Sequence, residues 1–268
     1  MTTSRLCTFH DFEQPWYRDQ LVRLREGFHL HRRQWEFVAI AHALHERGLL
    51  ARGGHGVGFA VGDEPLPSLF AGYGCEILAT DQPETAEAAA NWCNGQLCRG
   101  LESLNARGLA KPKWFDRLVR FRPVDMTDIP GDLGMFRFLW SSCSMEHLGS
   151  LEAGIDFVMN SMNHIWPGGV AVHTTEFNCD SNDRTIETGG AVIYRRRDIE
   201  ELARRLASNG DRLLDVCYDQ GDHEVDRMVD ETPFAPNRRC HLKLRFEGFV
   251  TTSVILIVEK RIWHQRYI

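Results

Sequence analysis

Apolar residues near the start of the chain follow a helical spacing. Within residues 34–49, apolar side chains recur at positions i, i+3, i+4 and i+7, which places them on one face of a helix. They are Phe37, Ile40, Ala41 and Leu44. Gly48 lies where such a helix is expected to stop. We therefore predict that residues 1–50 form a helical extension, with a weaker helix over residues 16–28.

After residue 50, short apolar runs alternate with segments of helical spacing. The predicted strands cover residues 56–61, 75–80, 118–124, 136–140, 168–174, 213–217 and 253–259. The predicted helices cover residues 68–73, 84–93, 151–163 and 198–208. The last helix begins with Asp198 and Glu201 at capping-box spacing. This alternation is typical of a mostly parallel sheet with helices on both faces. Residues 221–241 are predicted to be an insertion near the ligand face, before a final antiparallel strand.

A turn of small residues follows the first predicted strand. Gly58, Ala60 and Gly62 lie in the sequence GFAVG, and Glu64 follows two positions later. Small side chains at the carboxyl end of a strand let the backbone approach a bound molecule closely. A plain tight turn explains the same residues equally well, because such turns are common in α/β proteins.

Acidic residues end the next two predicted strands. Asp81 closes the second strand, and Asp125 follows the third, with Met126 beside it. In a parallel sheet these ends face the same crevice as the GFAVG turn. Asp81 can accept hydrogen bonds from ribose hydroxyls and Asp125 from an adenine amine, while Met126 contacts the ring. The sequence therefore predicts a nucleoside site.

Two histidines are candidates for a general base. His147 follows the fourth predicted strand, and His173 ends the fifth, near Glu176, which can orient it. His147 can equally cap or pack a helix. His173 and Glu176 can instead hold a divalent cation, although their spacing matches no strong ligand motif and a metal is not favoured. The residues that would complete such a site are Asp180, Asp183, His223 and His241.

The composition of the chain indicates which binding partners and which cellular compartment to expect. The formal net charge of −6 argues against binding nucleic acid, and no apolar run is long enough to cross a membrane. Eight cysteines are scattered with no CxxC pair, and the opening of the chain is polar. We expect reduced thiols in the cytoplasm. Four further residues are weaker candidates for ligand contacts, with core or surface roles as the alternative: His31, Trp35, Tyr194 and Arg195.

In this order, the features resemble the class I S-adenosylmethionine-dependent methyltransferases. The matching stretches are GxAxG, then ATD and VDM at the next two strand ends, and IWPGG before the fifth strand. Residues 141–148, SSCSMEHL, are similar to the SxxEHL stretch of many small-molecule methyltransferases. The resemblance spans residues 54–258.

The resemblance implies a seven-stranded sheet of order 3-2-1-4-5-7-6 with an antiparallel last strand. Residues 51–268 would form the domain, and residues 1–50 would cap it. The implied cofactor is S-adenosylmethionine, with S-adenosylhomocysteine as product, and the implied acceptor is an oxygen or nitrogen of a small molecule or saccharide. The implied cofactor-binding residues are Gly58, Ala60, Gly62, Glu64, Asp81, Asp125, Met126 and Ser142.

The chain departs from the family pattern before the glycines. The family often has an acid there, whereas this chain has Gly54-His55-Gly56, so Glu64 or a bridging water would bind the methionine amino group. One alternative is an NAD-type oxidoreductase. The dinucleotide-binding pattern of such enzymes is GxGxxG directly before a helix, whereas here Pro65 and Pro67 follow the turn. Another alternative is a non-catalytic module that binds the cofactor without turnover.

Overall fold

The computed structural model describes residues 3–82, 101–231 and 240–262. In that part of the chain, eleven strands form one sheet. They are β1 (Ser4–Leu6), β2 (His55–Phe59), β3 (Glu76–Asp81), β4 (Val119–Pro123), β5 (Phe136–Ser142), β6 (Ile165–Asn178), β7 (Arg212–Leu213), β8 (Val216–Cys217), β9 (Val229–Asp230), β10 (Lys243–Phe246) and β11 (Phe249–Glu259).

Helices cover both faces of the sheet. They are α1 (Phe9–Glu13), α2 (Pro15–Leu24), α3 (Arg32–Glu46), α4 (Leu66–Gly72), α5 (Leu101–Leu104), α6 (Pro112–Leu118), α7 (Leu151–Ser161) and α8 (Arg196–Ser208). Short 3-10 turns lie at Met145–His147, Met162–His164 and Glu224–Arg227. The helix predicted over residues 84–93 lies outside the described residues. No helix among the described residues is long and apolar enough to span a bilayer.

The strand order confirms the predicted fold class. The sheet runs β4-β3-β2-β5-β6-β11-β1-β8, and the first five of these strands are parallel to one another. The long strand β11 is antiparallel to β6, in register from Thr251 opposite Asn178 to Glu259 opposite Val170. This arrangement corresponds to the predicted order 3-2-1-4-5-7, with the antiparallel strand in its expected place.

The far edge of the sheet differs from the prediction. Strand β1 pairs antiparallel with β11, and β8 pairs parallel with β1, so a strand from the start of the chain lies where strand six was expected. Residues 213–217, predicted as one strand, are divided between β7 and β8. Residues 1–50, predicted to be a helical extension, contain α1, α2 and α3, but they also contain β1, which the pattern did not predict. Leu6 is 1% exposed, because this short strand buries alternate side chains in the core.

Two glycines of β2 make room for aromatic rings from β5. A Cβ at Gly56 would lie 2.2 Å from the ring of Phe138, and one at Gly58 would lie 2.3 Å from the ring of Trp140. Both rings are fully buried in the core between the sheet and α3. Since even one added methylene strains a packed core, Gly58 is required for packing. Its missing side chain leaves space for Trp140 and not for a ligand.

Candidate active site

The turn after β2 and the end of β3 are joined by hydrogen bonds. The backbone N–H of Gly62 donates to Oδ2 of Asp81 over 3.1 Å, and the hydroxyl of Thr80 donates to the carbonyl of Gly58 over 2.8 Å. Ala60 and Gly62 both have φ of 49°, in the left-handed region. For Ala60 this conformation costs about 1 kcal/mol. The GFAVG turn and Asp81 thus lie at one edge of the sheet, where the sequence predicted them.

The end of β4 joins the same edge. The backbone N–H of Val124 donates to the carbonyl oxygen of Asp81 over 2.8 Å. The Asp125 side chain is exposed, and its Oδ1 accepts from the N–H and the hydroxyl of Thr127 over 2.8 Å and 2.7 Å. Met126 is 7% exposed and packs in the core. Asp125 is therefore the more accessible of the two residues proposed to meet an adenine ring.

Glu64 is a buried carboxyl just after the turn. Its side chain accepts a hydrogen bond from the indole nitrogen of Trp140 over 2.5 Å through Oε1. Its Oε2 is buried and has no partner among the described residues. Burial raises the pKa of Glu64 to about 8, against the smaller lowering effects of the Trp140 hydrogen bond and the Arg33 charge. Burial therefore favours the neutral carboxyl at neutral pH.

Helix α3 covers the ends of β5 and β6 with two arginines. Arg32 forms an ion pair with Glu176, and the two side chains are 17% and 8% exposed. The other carboxylate oxygen of Glu176 accepts from the hydroxyl of Thr251 over 2.7 Å. Arg33 donates to the backbone carbonyl of Ser142 over 3.1 Å. These contacts fix the amino end of α3 above the predicted acceptor side of the sheet.

Glu36, one turn further along α3, connects the helix to two strands. The carboxylate is fully buried and accepts from the hydroxyl of Ser142 over 3.3 Å and from the thiol of Cys143 over 3.0 Å. The hydroxyl of Ser253 also donates to it. Ser142, predicted to bind the cofactor, therefore hydrogen-bonds within this network. Arg32, Arg33 and Glu36 were not predicted as site residues; the available signal was an acid, Glu36, one turn before the apolar residue Ile40.

His173 and Glu176 are not brought together. Strand β6 continues past the predicted end at residue 174, so His173 lies inside it, and residues three apart in a strand point to opposite faces. His173 is fully buried, its Nδ1 lies 2.8 Å from the hydroxyl of Ser141, and its ring meets Phe157 edge-on. Burial lowers the pKa of His173 to about 3. Glu176 instead faces α3.

His147 has a surface position at the end of β5. It closes the 3-10 turn Met145–His147 and is exposed, with Nδ1 2.8 Å from the carbonyl oxygen of Gly190. A carbonyl oxygen only accepts, so Nδ1 carries the hydrogen and Nε2 is the basic nitrogen of the neutral ring. Of the two predicted histidines, His147 is the one with an accessible imidazole.

Among the described residues, Cys143, Glu146 and Glu176 are spaced closely enough for a metal. Burial raises the pKa of both Cys143 and Glu146, which favours their protonated forms, and protonated thiols and carboxyls do not bind metals. Thr175 donates to Glu146 over 3.0 Å, and Arg32 pairs with Glu176. The carboxyl groups of Glu146 and Glu176 therefore already have partners within the protein.

The histidines considered as further metal ligands lie in other contacts. His223 stacks on Phe9 with ring centroids 4.1 Å apart. His241 lies 2.6 Å from a carboxylate oxygen of Asp230, and its ring stacks on that of His31. The described part of the 221–241 segment therefore packs against the amino-terminal extension.

The weaker candidates for ligand contacts have structural partners. Trp35 is fully buried and donates to Asp11 over 2.9 Å. Tyr194 is 2% exposed, and its hydroxyl lies 3.4 Å from the carbonyl of Leu151. Arg195 is 3% exposed and bound to Asp198 over 2.8 Å. These contacts explain the residues as parts of the core and of a helix start.

Comparisons with known proteins give structural matches. No protein-family model matches the sequence, and no curated protein matches it. A solved structure from Galdieria sulphuraria, named for a sarcosine dimethylglycine methyltransferase, has 12% identity and a TM-score of 0.52, with 85% of each chain covered. The 4+2-cyclase SpnF has 15% identity and a TM-score of 0.52, covering 84% of this chain and 81% of its own.

A third structure is similar over nearly its whole length. Magnesium protoporphyrin IX methyltransferase (ChlM) from Synechocystis PCC 6803, solved with bound S-adenosylhomocysteine, has 11% identity and a TM-score of 0.50. The match covers 93% of this chain and 97% of that one. At such low identity these likenesses establish the fold. The chain has the class I S-adenosylmethionine-dependent methyltransferase fold.

Proposed function

We propose that the protein transfers a methyl group from S-adenosylmethionine to an oxygen or nitrogen of a small molecule or saccharide. The observation that carries the proposal is the GFAVG turn bonded to Asp81, with the buried carboxyl of Glu64 two residues beyond it. In this proposal Asp81 accepts from the ribose hydroxyls, Asp125 and Met126 meet the adenine, and Glu64 meets the methionine amino group.

Two features favour this cofactor over NAD. The typical dinucleotide-binding sheet has the order 3-2-1-4-5-6, whereas here the antiparallel β11 lies next to β6. A pyrophosphate also requires hydrogen-bond donors and positive charge at the first turn. A buried carboxyl at Glu64 would oppose that anion but suits a ligand that carries an ammonium group.

A fold of this class does not by itself establish methyl transfer, since SpnF, which shares it, is named as a cyclase. Ligand binding and turnover therefore need separate tests. Binding of S-adenosylmethionine without methyl transfer to any acceptor would favour the non-catalytic alternative.

Replacing Asp81 by asparagine tests the cofactor site. We expect about tenfold to hundredfold weaker binding of S-adenosylhomocysteine by calorimetry, since the charge-assisted hydrogen bonds to ribose are lost. Asp128→Asn, which removes an exposed acid after β4, serves as the matched control and should bind as wild type. Unchanged affinity in Asp81→Asn would remove Asp81 from the site. If the wild-type protein bound NAD and did not bind S-adenosylmethionine, the proposed function would be overturned.

His147 is proposed as the base for an acceptor that carries a proton. As the acceptor atom bonds to the methyl carbon and the carbon–sulfur bond breaks, the acceptor proton passes to Nε2 of His147. For His147→Gln we expect about a hundredfold lower kcat on hydroxyl or amine acceptors, with cofactor affinity unchanged. Release of S-adenosylhomocysteine over a panel of such acceptors is the measurement. Wild-type kcat in the variant would exclude His147 as the base.

A further inference from the structure

One oxygen of Glu64 is left without a hydrogen bond inside the protein. The side chain is 3% exposed, Oε1 is held by Trp140, and Oε2 is buried with no partner among the described residues. A buried polar oxygen without a partner is destabilising, so such an atom indicates a ligand or a functional role.

The charges on the protein around Glu64 do not offset the cost of ionising its buried carboxyl. Arg33 on α3 is the neighbouring cation, and its guanidinium already contacts Glu36 and the carbonyl of Ser142. Glu36 on α3 and Asp81 on β3 are neighbouring acids that oppose ionisation of Glu64. From β5, Trp140 contributes a neutral donor. Among the described residues, the charge of Arg33 is thus shared with Glu36 and does not offset the effect of burial on Glu64.

We propose that Glu64 receives the ammonium group of the cofactor's methionine moiety and gives up a proton to solvent as the cofactor binds. This inference rests on the proposed function and extends it by one event, the release of a proton when the cofactor binds. The free carboxyl is neutral, the bound carboxylate faces the ammonium, and one proton leaves for each cofactor bound. The pKa of Glu64, raised by burial to about 8, agrees with a carboxyl that is protonated in the empty protein at neutral pH.

Calorimetry at pH 7 in buffers of different ionisation enthalpy measures the proton directly. For the wild-type protein we expect roughly 0.9 proton released on binding either S-adenosylmethionine or S-adenosylhomocysteine. The nucleoside 5′-methylthioadenosine lacks the ammonium and should bind with no proton release. Glu64→Gln should bind the two cofactors more weakly and release no proton. Asp63→Asn, which removes the exposed neighbouring acid, should release the wild-type number.

The pH dependence of binding gives a second measurement. Between pH 5.5 and 7.5, wild-type affinity for S-adenosylhomocysteine should tighten roughly tenfold per pH unit, because ionisation of Glu64 becomes easier. The affinity of Glu64→Gln should stay constant over the same range.

The outcomes separate this inference from the proposed function. Cofactor binding without proton release by the wild type, or with wild-type release by Glu64→Gln, would overturn the role of Glu64 and leave the proposed function standing. Release with S-adenosylmethionine but not with S-adenosylhomocysteine would identify the sulfonium as the partner and overturn the assignment to the ammonium. Failure of both cofactors to bind would overturn the proposed function itself.

Discussion

Replacing Arg32 by methionine is expected to lower the free energy of unfolding by about 3–5 kcal/mol. Arg32 is the cation that pairs with Glu176, and both side chains are largely buried between α3 and the end of β6. Without it, the Glu176 carboxylate keeps the Thr251 hydroxyl as its one side-chain partner among the described residues and is left as an uncompensated buried charge. Urea unfolding at pH 7 measures the change.

Two comparisons make this result specific to the buried pair. The double variant Arg32→Met/Glu176→Gln should recover most of the loss, because the unpaired charge is removed together with its partner. Arg196→Met breaks an exposed pair with Glu200, whose side chains are 59% and 52% exposed, and should cost less than about 1 kcal/mol. If Arg32→Met lost no more stability than Arg196→Met, the pair would be solvated in solution, contrary to the structure.

The second large effect is on the pH dependence of stability, through Glu64. Burial raises the pKa of Glu64 from 4.5 to about 8, so above pH 4.5 the unfolded chain loses a proton that the folded protein keeps. The contribution of Glu64 to stability is therefore complete below pH 4.5 and falls as the pH rises toward 8. Between pH 5 and pH 8 the fall is about 3 kcal/mol. Glu64→Gln has no proton to lose, so its stability should not fall by this amount.

Urea unfolding of the cofactor-free protein at pH 5, 6, 7 and 8 gives the comparison. The stability of Glu64→Gln relative to wild type should rise steadily across this series. Asp63→Asn, with an exposed side chain, should follow the wild-type curve. Parallel curves for wild type and Glu64→Gln would show that Glu64 ionises normally in the folded protein. The expected result would show that Glu64 keeps its proton in the folded, cofactor-free protein at neutral pH, as the proposed proton release requires.

Local patterns sufficed to predict most of the sheet. Strands β2, β3 and β5 lie within two residues of their predicted bounds, because continuous apolar runs between turn residues are a strong signal for buried parallel strands. The joining of the GFAVG turn to Asp81 was also predictable, since the ends of neighbouring parallel strands meet at one edge. The prediction that Asp198 and Glu201 cap the start of α8 was wrong. Arg195 is the N-cap residue, and Asp198 lies within the first turn, where its side chain accepts from the N–H of Arg195.

The polar network above the strand ends was not predictable from local patterns. Arg32 and Glu176 lie 144 positions apart, and each belongs to a segment whose own pattern shows only a helix start or a strand. Burial of His173 depends on β6 continuing beside β11, since a partner strand sustains an extension past the apolar run. Charged residues acquire partners through the tertiary fold, so the chemistry of this site had to be observed.

The position of β1 between β11 and β8 has a consequence for the order in which the molecule is assembled. The serine hydroxyl oxygen of Ser4 accepts from the backbone N–H of Ile257, 253 positions later, and Leu6 lies opposite Val254. During synthesis, β1 leaves the ribosome long before β11 and must therefore wait before it gains this partner. Until then, the side of β1 that pairs with β11 and the side chain of Leu6, buried in the folded protein, are open to wrong associations.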